Sequence, residues 1–174
     1  MHEKKRPPVI FLDMDGVLCT QRAHHAIATQ SALWRHLDPI ACRLVERLAR
    51  ENGALLVLSS TWRESFEQSG MTCIVMNGGF SAVNWHTCWK TPKLHESPHL
   101  WDSGSYVKRG YEIDSWLNAN GQPDYVILDD DPDMLTTQKP RFVQTDAMNG
   151  FLWEHFEKAE EILKGRLLEY SEEE

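Results

Sequence analysis

Acidic and hydroxyl side chains directly follow three short apolar runs of the sequence. Asp13 and Asp15 follow the first run and Ser59 follows the second. Asp129 and Asp130 follow the third. Carboxylates that converge on one point repel each other unless a cation lies between them, and hard oxygen ligands suit Mg2+. With a hydroxyl and a fixed cation beside them, such carboxylates can hold a phosphoryl group against a carboxylate nucleophile.

The elements that must position these residues are three predicted strands, at 9–12, 55–58 and 125–128, each buried on both faces of a sheet. Between the first two, Asp38 is predicted to cap a helix that has Pro39 in its first turn and ends at 52–53. A strand, a helix and a strand in succession imply parallel pairing with a right-handed crossover. The fold class is therefore α/β, a doubly wound parallel sheet, in which ligands bind at the carboxyl ends of the strands.

The remaining elements follow from weaker patterns. The sequence predicts a further strand at 73–76, a helix at 111–118 that ends at Gly121, a fifth strand at 141–145 and a last helix from about Gly150. One domain is expected at 8–168, with loop-like insertions at about 19–37 and 64–107 and an acidic tail at 169–174. The second insertion must also supply a strand of the sheet.

Composition excludes several classes of protein. The chain has 174 residues, of which 41% are hydrophobic and 25% charged, as expected for about one folded domain. The net charge of -8 argues against a broad basic face that wraps nucleic acid, although a local basic groove remains open. No apolar run approaches the roughly 18 residues of a membrane span, and no signal peptide is seen. With four cysteines and no disulfide pattern, we expect a cytoplasmic protein without a membrane partner.

A second candidate metal site lies in the loop-rich middle of the chain. Its four ligands would be His86, Cys88, His95 and His99. Their spacing is not that of a known zinc finger. The preferred interpretation is that these residues are part of the polar surface or are rings packed in the fold. His24 and His25 lie where a substrate lid would sit.

The segment 13–18, with the sequence DMDGVL, resembles the first motif of the haloacid dehalogenase superfamily phosphatases. Segments 57–59 and 127–130 resemble the second and fourth motifs, and Lys108 or Arg109 resembles the third. More narrowly, the segments 38–39, 58–63, 91–94, 109–113 with 116–117, 129–131 and 141–143 resemble small bacterial and phage proteins with this domain, which are related to nucleic-acid end-repair phosphatases. The resemblance covers residues 8 to about 165 and implies a Rossmann-like fold with a minimal cap.

The resemblance implies a role for each motif. Asp13 would be the nucleophile that forms an aspartyl-phosphate, and Asp15 would protonate the leaving oxygen and later activate water. Residues two apart in an extended strand share a face, so both carboxylates can point into one site. Gly16 would let the backbone leave the strand in a conformation that a side chain hinders. Ser59 would bond the phosphoryl oxygens.

The metal ligands and the cation are implied in the same way. Asp13, the carbonyl of Asp15, and Asp129 would surround Mg2+, with Asp130 and Asp133 as direct or water-mediated partners. Asp131 and Asp133 can equally be solvated caps of a turn. Both Lys108 and Arg109 fit the cation of the third motif. The turn at 60–63 is interpreted either as packing or as a wall of the phosphate pocket.

The predicted function is therefore a Mg2+-dependent phosphomonoester hydrolase. Its substrate would be a nucleotide, another small phosphomonoester or a phosphorylated nucleic-acid end, and its oligomeric state is open. The presence of Asp15 favours a phosphatase, because the relatives that displace halide lack this second acid. The alternatives are a catalytically silent module that binds phosphate and a nucleic-acid end-processing domain that works with a partner.

Overall fold

Five parallel strands form one sheet in the computed structural model, which describes residues 6–26, 37–94 and 107–165. The strands are β1 (Val9–Leu12), β2 (Leu55–Leu58), β3 (Trp85–Lys90), β4 (Tyr125–Asp129) and β5 (Phe142–Gln144). The helices are α1 (Gln21–Ala26), α2 (Pro39–Asn52), α3 (Gln68–Gly78), α4 (Arg109–Asn120) and α5 (Trp153–Leu163). The order of the strands across the sheet is β3-β2-β1-β4-β5. The predicted fold class is confirmed.

The three central strands, β2, β1 and β4, bury alternate side chains in two cores on opposite faces of the sheet. In β1, Ile10 and Leu12 belong to the core that α2, α3 and α5 cover, and Phe11 belongs to the core that α4 covers. On the α4 side the ring of Trp116 meets Phe11 edge to face, with centroids 5.2 Å apart. Because helices cover both faces, only the ends of the strands are left to form a site.

Helix α2 begins and ends where the sequence predicts. The Asp38 carboxylate accepts hydrogen bonds from the backbone N–H groups of Ile40 and Ala41, at 2.9 and 3.3 Å, and Pro39 is the first helical residue. Gly53 ends the helix in the left-handed conformation, with φ 59°. The predicted strands at 9–12, 55–58 and 125–128 and the predicted helix at 111–118 are likewise confirmed, with small shifts of their ends.

The predicted strand at 73–76 is wrong, because these residues belong to α3. Met71, Ile74 and Val75 are buried at the spacing of one helix face, and this packing decides the conformation of the segment. The edge strand is instead β3, which pairs with β2. The segments called loop-like insertions therefore contain α1, α3 and β3 within their described parts. Residues 27–36 and 95–106 and the predicted tail at 169–174 lie outside the described residues.

No helix in the described part of the chain is long and apolar enough to cross a membrane.

Candidate active site

The carboxyl ends of β2, β1 and β4 lie side by side at one edge of the sheet. Leu12 pairs with Leu58 on one side and with Leu128 on the other. The residues that follow are joined by backbone hydrogen bonds, from Asp13 N to Leu128 O at 3.0 Å and from Ser59 N to Leu12 O at 2.9 Å. The strand order runs outward in opposite directions from β1, so this edge is the switch point at which open α/β sheets bind ligands.

Three carboxylates meet at this edge. One oxygen from each of Asp13, Asp129 and Asp130 lies within 4.8 Å of the other two. Asp13 and Asp129 are buried and Asp130 is half-buried. Arg109, the first residue of α4, lies beside them, with Nη1 3.5 Å from Asp13 Oδ1 and Nε 3.9 Å from Asp129 Oδ2. One guanidinium therefore faces three carboxyl groups.

This excess of acid changes the proton affinity of the carboxyl groups. Burial raises the pKa of Asp13 from 3.8 to about 6, although Arg109 and a hydrogen bond from the Ser60 hydroxyl act in the opposite direction. Burial, reinforced by the charge of Asp13, raises the pKa of Asp129 to about 8. The pKa of Asp130 is also raised, mainly by burial. Without a further positive charge, the three groups resist ionising together.

The donor set fits a divalent cation. Asp129 Oδ2 is buried and has no hydrogen-bond partner among the described residues, while Asp129 Oδ1 accepts from the N–H of Asp131 at 3.0 Å. A buried carboxylate oxygen without a partner is costly unless something else satisfies it. The three carboxylates can each place an oxygen at one point, and such oxygen atoms are the ligands that a hard cation such as Mg2+ prefers. Asp13, Asp129 and Asp130 are thus the residues that would hold a metal.

Gly16 makes the approach of Asp130 possible. Its φ is +71°, a conformation that side chains disfavour, and a Cβ atom on it would lie 2.2 Å from Asp130 Cγ. The predicted need for glycine after Asp15 is confirmed by this φ. The structure adds a second reason, because the missing side chain leaves room for a carboxylate of the cluster.

Asp15 lies apart from the three clustered carboxylates. Its side chain is exposed, and its Oδ2 accepts a hydrogen bond from Trp62 Nε1 at 2.9 Å. Its predicted contribution to metal binding rests on the backbone carbonyl alone. The two aspartates of the first motif are therefore in different surroundings, one buried among carboxylates and one at the surface.

The turn after β2 supplies hydroxyl groups to the same edge. Ser59 is fully buried, and its Oγ has no hydrogen-bond partner among the described residues. Ser60 is also buried, and its hydroxyl forms a hydrogen bond with Asp13. The same hydroxyl accepts a hydrogen bond from the N–H of Trp62 at 3.4 Å, at the start of the short 3-10 helix Thr61–Glu64. A buried hydroxyl without a hydrogen-bond partner at this edge is suited to bind an oxygen of a ligand.

The two candidate cations of the third motif are in different places. Arg109 faces Asp13 and Asp129, whereas Lys108 is exposed at the residue before α4. Asp133 accepts a hydrogen bond from the backbone N–H of Arg109 at 2.8 Å. Asp133 therefore binds the backbone at the start of α4, which is neither the metal contact nor the solvated cap of a following turn that the sequence left open, and its contact with a metal stays a prediction.

The second candidate metal site is only partly described. Cys88 is exposed on β3, its N–H donates to His86 Nδ1 at 2.9 Å, and the His86 ring packs against Trp116 with centroids 4.8 Å apart. His95 and His99 lie outside the described residues. Within the described ranges, the group of three potential metal ligands found is the acidic one.

Three contacts of the turn after β2 are not predicted by the sequence. They are the bond from Ser60 to Asp13, the bond from Trp62 to Asp15, and the buried ion pair of Arg63 with Glu112. The one pattern that points to them is the run of polar residues directly after a buried strand. From the sequence, this run is interpreted either as packing or as a wall of the phosphate pocket. The structure shows packing by Arg63 and contact with the first motif by Ser60 and Trp62.

A family model described as a HAD domain in Swiss Army Knife RNA repair proteins matches residues 9–156. The match includes every residue of the edge described above. Searches of curated proteins and of solved structures found no significant match.

Proposed function

We propose that this chain, which belongs to the family of HAD domains in Swiss Army Knife RNA repair proteins, is a Mg2+-dependent phosphomonoester hydrolase that acts through an aspartyl-phosphate. Family membership supports a hydrolase that transfers phosphoryl groups. The observation that carries the proposal is the convergence of Asp13, Asp129 and Asp130 within 4.8 Å, with Arg109 beside them. The buried Ser59 hydroxyl, which has no hydrogen-bond partner among the described residues, lies at the same edge.

Asp13 is the proposed nucleophile. One of its carboxylate oxygens attacks phosphorus, the bond from phosphorus to the leaving oxygen breaks, and the phosphoryl group is carried on Asp13. Burial disfavours the ionised form that the attack needs, and Arg109 at 3.5 Å favours it. A bound Mg2+ would supply the further positive charge that ionises the carboxylates and would polarise the phosphoryl oxygens.

Asp15 is the proposed acid and base. It gives its proton to the leaving oxygen in the first step and takes a proton from the water that releases phosphate from Asp13 in the second. Its exposure allows contact with a leaving group and with water, unlike the burial of Asp13. The hydrogen bond from Trp62 fixes the orientation of the Asp15 carboxyl group.

Ser59 and Arg109 are proposed to bind the phosphoryl oxygens. The Ser59 hydroxyl is buried beside β1 and lacks a partner within the described residues, and the Arg109 guanidinium lies against Asp13. Donors fixed where negative charge develops stabilise the transition state. The exposed Lys108 is the weaker candidate for this role.

The proposed substrate is a phosphorylated nucleic-acid end. The family is named for RNA repair proteins, and this supports an RNA end above other phosphomonoesters. The net charge of -8 favours contact with a terminus rather than with a long stretch of backbone. A nucleotide or another small phosphomonoester remains the second candidate.

Phosphate release from a set of esters tests the proposal. The set is p-nitrophenyl phosphate, nucleotides, sugar phosphates, and RNA phosphorylated at its 3′ or its 5′ end. We expect turnover with Mg2+, none in chelator, and inhibition by Ca2+, which is larger and tolerates more ligands. Asp13→Asn should be inactive on every ester. Binding of phosphorylated RNA without release of phosphate would instead support a catalytically silent module or a domain that needs a partner.

A further inference from the structure

A cavity of about 870 Å³ opens beside Asp15. Its lining includes Trp62, Phe66, His24 and Glu64. Its volume falls within the roughly 300–1,000 Å³ of sites that bind small molecules. None of the three clustered carboxylates lines it, so the cavity lies on the side of the site where Asp15 is exposed.

Trp62 is held rigidly at the wall of this cavity. Its indole N–H donates to Asp15 Oδ2 at 2.9 Å, and its backbone N–H donates to Ser60 Oγ at 3.4 Å. The half-buried ring packs partly on the core and lies 5.9 Å from the ring of Phe66. A fixed aromatic ring at an open cavity is the feature on which unpaired nucleobases stack in nucleic-acid-binding proteins.

The charges of the cavity select the kind of group that fits. Asp15 and Glu64 are the acidic residues of the lining, the carboxyl group of Glu64 is paired with Lys93 at 2.5 Å, and no lysine or arginine is among the lining residues that the structure describes. The carboxyl group of Asp15 disfavours a phosphodiester there, whereas a neutral base and its sugar offer it N–H and O–H donors. The complementary ligand is therefore uncharged, flat and rich in donors.

We propose that this cavity binds the nucleoside that carries the scissile phosphate, with its base stacked on Trp62. The inference rests on the proposed function, since Asp15 can protonate only a leaving oxygen on its own side of the site. Trp62 then has two roles: its N–H positions Asp15 and its ring binds the base. The terminal base of an RNA end enters the cavity, and the rest of the strand leaves it.

The experiment uses a short RNA with a terminal phosphate, in 3′- and 5′-phosphorylated forms, and the same RNA with an abasic terminal residue. We expect the wild-type chain to have a higher kcat/KM for the base-containing end by roughly 5- to 150-fold, the range of stacking on one aromatic side chain. Trp62→Leu should remove most of this preference through KM. Trp62→Phe should keep it while lowering kcat, because the ring remains and the bond to Asp15 is lost.

Trp153→Leu is the matched control, since Trp153 is 48% exposed on α5 and lines no part of this cavity. Equal kcat/KM for base-containing and abasic ends in the wild-type chain would overturn the inference, and this comparison needs no variant to fold. If no ester is hydrolysed, the proposed function fails by itself. The dissociation constants of the same two RNAs then decide the inference, because equal affinities overturn it and tighter binding of the base-containing end upholds it.

Discussion

Arg63 and Glu112 form a buried ion pair with Nη2 and Oε2 2.6 Å apart. The other terminal nitrogen of Arg63 donates to the carbonyls of Ser59 and Ser60 at 2.9 and 2.8 Å. Glu112 lies on α4, one turn after Arg109. The pair therefore connects the turn that supplies the hydroxyl groups to the helix that supplies the guanidinium.

Glu112→Ala should lower the free energy of unfolding by about 3–5 kcal/mol, because it leaves the buried charge of Arg63 without its partner. The control is Glu51→Ala, which breaks the pair of Arg47 with Glu51 at 2.9 Å. Those side chains are 46% and 36% exposed, against 4% and 8% for Arg63 and Glu112, so a loss below about 1 kcal/mol is expected. Denaturant unfolding measures both. Equal losses in the two variants would show that the buried pair adds no more to stability than the exposed pair.

Gly16→Ala should disrupt the acidic cluster. The new methyl group would meet Asp130 Cγ at 2.2 Å and displace that carboxylate, and a displacement of about 1 Å can cost roughly 100-fold in rate. Gly53→Ala is the matched control, because Gly53 also has a positive φ, of 59°, but nothing within 4 Å of an added Cβ. Both variants should lose about 1–2 kcal/mol of stability from backbone strain. Full phosphatase activity in Gly16→Ala would refute the proposed place of Asp130 in the site.

The metal-free chain should become less stable as the pH rises from about 4 to 8. Burial raises the pKa of Asp13 to about 6 and that of Asp129 to about 8, both above the ordinary value of 3.8. In this window the folded state binds more protons than the unfolded state, so the free energy of unfolding falls with pH. Melting temperatures in chelator at pH 5 and pH 8 measure the effect.

Asp129→Asn should reduce the loss of stability between pH 5 and pH 8, because an amide does not ionise. Glu157→Gln, on the exposed surface of α5, should leave that loss unchanged. Mg2+ should restore stability at pH 8 by binding the folded state. The same slope in Asp129→Asn and in the wild-type chain would contradict the assignment to this cluster.

The central part of the fold could be predicted because its signals are local. Continuous apolar runs mark β1, β2 and β4, and Asp38, Pro39 and Gly53 mark the ends of α2. Polar residues after those runs had to meet, since parallel strands end at one edge. The edge strand β3 gave no such signal, because none of its residues is fully buried. The apolar residues near 73–76 were misleading, since one face of a buried helix also contains them.

The contacts between the residues of the site were harder to predict than the identity of those residues. Arg109, rather than Lys108, faces the clustered carboxylates because of the rotation of α4 about its axis. Packing against the sheet and the hydrogen bond to Asp133 fix that rotation. The bond from Trp62 to Asp15 joins residues 47 positions apart, and no local pattern reveals it. Spacing predicts which residues share an edge, whereas tertiary packing decides which of them touch.

The most direct test of the account measures where the phosphoryl group goes in the Asp15→Asn variant. The measurement is made in the pre-steady state with p-nitrophenyl phosphate and with an alkyl phosphate. In the proposed mechanism nitrophenolate leaves without an acid, whereas hydrolysis of the aspartyl-phosphate requires Asp15 as base. We predict a burst of nitrophenol equal to the enzyme, slow turnover afterwards, and phosphate on the peptide that contains Asp13. The alkyl phosphate, which needs the acid, should react about 100- to 10,000-fold more slowly than with the wild-type chain. Equal losses on both esters, with no burst and no phosphate on Asp13, would contradict the account.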